Sequence, residues 1–137
     1  MADETPIVRE LRARPVNVPM PKPLATAGGS VTTAPLVLVD LETDGGTTGS
    51  AYVFCYTPMA LAPVAGLVEG LGEALQGAPL APARLMDGMQ ARFRLLGLQG
   101  LTMMAASVVD MARRSLKCSR FCSAADSRWV KRSHSSR

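Results

Sequence analysis

The side chains best suited to hold a metal gather near the C-terminal end, where Cys118-x3-Cys122 precedes the single histidine, His134. Structural zinc takes four ligands, usually two cysteines separated by two to four residues and a second pair downstream. Here there are three candidates and no partner spaced for His134, so the pattern argues against a metal site. Cys55, the remaining cysteine, stands far away. An odd cysteine count without a secretion signal argues against a disulfide framework.

The cationic side chains gather at the same end. Residues 1–112 hold seven Lys/Arg and ten Asp/Glu, a net of −3, whereas residues 113–137 hold eight Lys/Arg against Asp126 alone, a net of +7. The overall charge of +4 therefore belongs to the last residues, and the body gives no reason to expect nucleic-acid binding. An Arg/Ser segment of that kind binds nucleic acid or an anionic membrane surface electrostatically, or is simply a solvated tail. One aromatic among the charges, Trp129, is thin support for base stacking.

The elements ahead of this segment read as an α+β domain. IVRELRARPVNV (7–18) mixes β-branched and polar residues at alternate positions, as a half-buried strand does. PMPKPLATAGGS (19–30) is rich in Pro and Gly and reads as a long loop of the functional kind. TTAPLVLVDLET (32–43) is a second strand, DGGTTG (44–49) a tight turn, and SAYVFCYT (50–57) the returning strand. From Pro58 the period changes. Leu61, Val64, Leu67, Val68, Leu71 and Leu75 recur at helical steps over 57–77, with Thr57 as N-cap and Pro58 in the first turn. Gly66, Gly70 and Gly72 weaken that helix by about 1 kcal/mol each relative to Ala, so it depends on packing. Further helices are expected over 81–97 and 98–112, the last with a stripe of Leu98, Leu101, Ala105, Val108 and Ala112. The expected architecture is a three-stranded antiparallel meander followed by a helical bundle.

Composition, charge sign and periodicity all change after Ala112. The continuing helix face would carry Ser115 or Leu116, then Ser119, and core serines need hydrogen-bond partners. Residues 1–112 are expected to form the domain and 113–137 a disordered basic tail. The N-terminus, MADETPIVRE, has no basic region followed by an apolar run, and the apolar stretch 59–80 is interrupted by Pro63, Glu69 and Glu73. The expectation is a soluble, cytoplasmic chain with no membrane span.

RARPVNVP (12–19), TAPLVLVDLETDGGTTGSAYVFCYTP (33–58) and LAPARLMDGMQARFRLLGLQGLTMMAASVVDMA (80–112) together resemble the N-terminal capping domain of the mandelate racemase and muconate lactonizing enzyme family, in the enolase superfamily. The likeness runs nearly without gaps over residues 7–112. It implies a lid that closes over the mouth of a (β/α)8-type barrel, where barrel active sites sit. It also implies a parent reaction in which Mg²⁺ and barrel bases abstract a proton beside a carboxylate, as a racemase or dehydratase, in a protein that is a homo-oligomer. None of the barrel's metal ligands or bases falls in the aligned part, so the resemblance implies no catalytic residue and no cofactor in this chain.

By motif position, the resemblance assigns Leu24 and Val31 to a mobile flap between the first two strands and Phe54 and Tyr56 to the end of the third. In the family these positions form an apolar wall around the substrate, which implies an apolar 2-hydroxy acid. Leu24 stands where the family has Val, which tightens the pocket, and the flap carries Lys22 and Pro23 of its own. After DMA the family continues its helix into the barrel, whereas this chain reads Arg113-Arg114-Ser115. The abrupt break suggests out-of-frame translation of a longer gene. Two functional classes follow: an inactive enzyme lid, exposed on its apolar underside and prone to aggregate, or a small protein whose basic tail meets nucleic acid or another anionic surface.

Overall fold

The computed structural model describes residues 5–132, with side chains described as far as Leu116. Three antiparallel strands, β1 (Val8–Thr26), β2 (Gly29–Thr43) and β3 (Thr48–Phe54), form one sheet in the order β1-β2-β3, the meander expected from the sequence. Val37, Val39, Leu41 and Thr43 are buried on one face of β2, while Leu36, Leu38, Asp40 and Glu42 are half-buried on the other. Fully burying each Val or Leu contributes about 1.5–3 kcal/mol, so this row anchors the sheet on the helices.

The expected loop over 19–30 is instead strand. β1 and β2 continue past the sheet as a two-stranded ribbon closed at Ala27-Gly28, where Gly29 takes φ 126 and Thr26 Oγ1 donates to the Gly29 carbonyl at 2.7 Å. Prolines suggested a loop, yet Pro15 and Pro19 lie on an edge strand. The register puts Arg14 and Val16 in the bonded positions toward β2 and turns Pro15 outward, so its missing N–H leaves the ladder intact. Pro19 pairs with Thr33 and Leu24 with Val31, so Met20-Pro21-Lys22-Pro23 bulge out opposite Thr32 alone.

The expected helix over 57–77 begins as a 3-10 turn at Pro58–Ala60 and continues as α1 (Leu61–Leu75). Its stripe packs as read, with Val64, Val68, Leu71 and Leu75 buried and Leu61 and Leu67 partly so. Gly72 has a positive role beyond its cost in propensity: a Cβ there would lie 3.0 Å from Leu11 Cβ, so its absence lets α1 sit against β1. The link after α1 ties back to the start of β1, with Gly77 N–H donating to the Val8 carbonyl at 2.9 Å and Leu80 N–H to Pro6 at 2.8 Å.

Helix α2 (Pro82–Arg92) stops five residues short of the expected end. Gly97 at φ 78 donates its N–H to the Phe93 carbonyl at 2.7 Å, leaving Leu95 and Leu96 in solvent. Helix α3 (Leu101–Arg132) begins three residues late, because Gly100 takes φ 59 and Thr102 Oγ1 accepts the Gln99 N–H at 3.1 Å. Leu101, expected in the buried stripe, is exposed, and the core face is Ala105, Val108, Val109 and Ala112.

The helix crosses Ala112 without a break. Arg113 and Leu116 are buried, and Gly49 of β3 sits so close that a Cβ on it would overlap the Ala112 carbonyl and lie 2.8 Å from Leu116 Cγ. Arg113 satisfies its charge within the helix, donating Nη2 to Asp110 Oδ1 at 2.7 Å, while Arg114 Nε reaches Asp110 Oδ2 at 2.7 Å. The side chains of 117–132 and all of 133–137 lie outside the described residues, and with them the readings placed on Cys118, Cys122, Trp129 and His134. Among the described residues, no helix is long and apolar enough to cross a membrane.

Candidate substrate-lid wall

The four residues assigned to the lid fall into two pairs. Leu24 and Val31 are direct cross-strand partners in the ribbon, Leu24 exposed and Val31 half-buried. Antiparallel partners of this kind have Cβ atoms about 4.5–5.5 Å apart, so the two form one apolar step on the ribbon. Phe54 ends β3 opposite Leu36, and its ring meets Tyr56 edge-on, with centroids 5.1 Å apart and an interplanar angle of 82°. Between Val31 and Leu36 the second strand advances about 17 Å at its ordinary rise. The ladder thus positions the two pairs but keeps them apart, and the chain by itself does not gather the four into one closed wall.

The aromatic pair rests on an unusual corner. Thr57 N–H donates to the Cys55 carbonyl at 2.7 Å, closing a three-residue turn around Tyr56, which takes φ 62. Among the described residues it is the single non-glycine residue with positive φ. Such a backbone costs of order 1–3 kcal/mol and persists where neighbours over-determine it. Here Cys55 is buried and its N–H is held by the Pro35 carbonyl at 2.8 Å, while the 3-10 turn begins at Pro58. The result is a tyrosine that is 73% exposed yet fixed in direction, since its turn is pinned on both sides. Nothing in the local sequence announced this corner, because no Gly, Asn or Asp marks it.

The surrounding chemistry is poor in reactive groups. Burial pushes the Cys55 thiol up, with a smaller opposing effect from a backbone hydrogen bond near Val37, so it is packed as a small hydrophobe rather than poised as a thiolate. The charged residues of the exposed sheet face lie at the far end, where Arg9 pairs with Glu42 at 3.0 Å and Arg14 with Asp40 at 3.2 Å. Lys22 is the one charged side chain between Arg14 and Asp40, and it sits in the bulge. Among the described residues, no three His, Cys, Asp or Glu side chains come together to hold a metal ion.

Residues 8–121 match the N-terminal domain of the mandelate racemase / muconate lactonizing enzyme family. The chain belongs to that family. Solved structures of similar proteins superpose on this domain of the family. An enolase from Bradyrhizobium, crystallised with magnesium and mandelic acid, is 48% identical with a TM-score of 0.75, over 82% of this chain and 31% of that one. An enolase with bound magnesium from the alphaproteobacterium bal199 is 37% identical, also at 0.75, over 80% of this chain and 30% of that one. A racemase from Streptomyces coelicolor with bound magnesium is 27% identical at 0.69, over 81% of this chain and 32% of that one. The chain therefore spans about a third of the length of the mandelate racemase / muconate lactonizing enzyme relatives it matches. Magnesium in those relatives does not fit a site built from the residues described here, which bring no ligand set together.

Proposed function

We propose that residues 1–112 act as the substrate lid of a mandelate racemase-like enzyme whose full-length form abstracts a proton beside the carboxylate of an apolar 2-hydroxy acid. By itself the chain is inactive. The observation that supports this reading is the apolar, solvent-facing hardware at the flap and corner: Leu24 opposite Val31, and Phe54 edge-on to a Tyr56 fixed by a strained turn. An apolar side chain left in water gains its about 1.5–3 kcal/mol only when something covers it, and a barrel mouth with bound substrate is a cover of the right kind. Binding energy gathered there, remote from the reacting carbon, positions the acid for chemistry done elsewhere.

The lid supplies apolar contact and exclusion of water, and no proton transfer is assigned to any of its side chains. The metal-dependent chemistry belongs to parts of the family protein that these residues do not include. The basic segment from residue 113 has no part in this reading, and reading its codons in all three frames tests whether it is displaced barrel sequence.

The decisive experiment grafts residues 8–112 onto the corresponding part of the Bradyrhizobium enolase and measures mandelate binding by calorimetry. The graft is expected to bind, and Leu24→Asp or Tyr56→Ala in it to weaken binding by about tenfold or more, the equivalent of 1.4 kcal/mol. A graft that binds mandelate equally well with both substitutions overturns the assignment. Turnover of mandelate by the 137-residue chain alone overturns the claim of inactivity.

A further inference from the structure

The two edges of the sheet offer different things to another chain. The free edge of β1 carries Pro15, Pro19, Pro21 and Pro23 and is broken by two register shifts. Missing N–H groups and bulges spoil such an edge as a template for strand addition. The edge of β3 has neither defence. Its sequence, Thr48-Gly-Ser-Ala-Tyr-Val-Phe54, contains no proline and no charged residue.

The direction of its backbone groups follows from one bond. Cys55 N–H points toward β2, where it meets the Pro35 carbonyl at 2.8 Å. Successive residues of a strand aim their N–H and C=O to opposite sides, so Val53 and Ala51 face β2 while Phe54, Tyr52 and Ser50 face away. Among the described residues, no backbone bond to another element uses these three. Tyr52 is also 60% exposed, although its cross-strand partner Leu38 is half-buried.

We propose that β3 pairs with β3 of a second copy of this chain, antiparallel across a two-fold axis at Tyr52, giving a continuous six-stranded sheet. That register is self-complementary. Tyr52 faces Tyr52 of the partner subunit, and Ser50 faces Phe54 of the partner subunit, each pair exchanging two N–H···O bonds as directly opposed residues of a hydrogen-bonded site do. The outward groups of Ser50, Tyr52 and Phe54 are then all used, and of the strand's outward residues Thr48 alone, at its start, stays outside the ladder. Because the strand is uncharged, two copies meet without like charges in register, and the exposed Tyr52 gains an aromatic cross-strand neighbour. A charged or proline-bearing partner strand would match this edge less well than the edge matches itself. The surface is separate from the flap and shares only Phe54 with the lid wall, and the test substitutions at Tyr52 and Ser50 leave all four lid residues unchanged.

Sedimentation velocity of the full 137-residue chain over a wide concentration range tests it. The expected result is a discrete monomer–dimer equilibrium. Tyr52→Lys, which puts two cations directly opposite each other, is expected to weaken dimerisation at least about tenfold. Tyr52→Phe is expected to leave it intact. Far-UV circular dichroism of each variant confirms that the exposed substitution leaves the fold unchanged, and Ser50→Pro, which deletes one outward N–H, gives a second break in the same edge. A wild-type chain that stays monomeric throughout overturns the proposal. So does association, discrete or polydisperse, that neither Tyr52→Lys nor Ser50→Pro reduces.

Discussion

Strand β1 passes through two surroundings. From Val8 to Pro19 it is paired with β2 and backed by α1, with Val8 and Leu11 buried. Past the bulge, from Leu24 to Thr26, it is paired with β2 but backed by none of the described elements, and every residue is exposed. Both stretches satisfy backbone groups through the same ladder, but only the first removes apolar surface from water. Hydrogen bonds contribute little net stability once exchange with water is counted, whereas core burial contributes in proportion to area. The ladder therefore sets the shape of the flap and packing sets the stability of the body. Local opening of the weakly held part therefore does not require the rest to unfold.

The largest effect should come from the packed side. Gly49→Ala places a methyl group on the Ala112 carbonyl, where β3 and α3 meet, and neither backbone can yield easily. A loss of about 3 kcal/mol or more is expected in urea or thermal unfolding, since overpacking a tight contact is at the costly end of its range. A variant as stable as the wild type would mean that α3 does not lie on the sheet as described.

A middle-sized effect should come from Asp110, which neutralises the buried Arg113. Burial alone raises its carboxyl, but hydrogen bonds from Arg113 and Arg114 outweigh that and hold it below the usual carboxylate range. A carboxylate lowered by folding stabilises the native state at pH above its unfolded value, and that contribution disappears as pH falls through the lowered native value. Asp110→Asn should therefore destabilise the domain at neutral pH by about 1–3 kcal/mol, the range for stripping a buried donor of its partner. It should also flatten the acid limb of a stability–pH curve, and an unchanged limb would remove Asp110 from the account.

The smallest effect should come from the flap. Leu24→Ala should shift global stability by no more than about 0.5 kcal/mol, as exposed substitutions do. Amide exchange over residues 20–31 should be faster than over 36–41 although both are strand. Equal protection would erase the distinction between the two stretches of β1.

How much of this was legible depends on the distance over which a residue finds its partner. The stripe Val64, Val68, Leu71 and Leu75 packs as its spacing implied, because a helix carries its own period. TTAPLVLVDLET read as a strand, but its inward face, Val37, Val39 and Leu41, emerged only from the packing. The flap misled because Pro19, Pro21, Pro23, Gly28 and Gly29 are loop-like in composition, and an edge strand tolerates such residues only when a partner strand lies alongside. Leu101 misled because the helix starts later than its period, held back by Gly100 and Thr102. The change in composition at Ala112 is real, but Leu116 still finds the core on the far side of it. The pairing of Leu24 with Val31 needed the register, and the corner at Tyr56 needed the backbone itself.

The four-residue bulge opposite Thr32 gives the molecule a slack link. The body register ends at Pro19–Thr33 and the flap register restarts at Leu24–Val31, with the mismatch stored between them. Residues added or lost at Met20-Pro21-Lys22-Pro23 leave the alternation in and beyond the sheet as it was, so they do not swap core side chains for solvent ones. Reach over a partner surface and the bulk presented to it are thereby adjustable in evolution on a timescale set by a surface insertion, while the body keeps its packing.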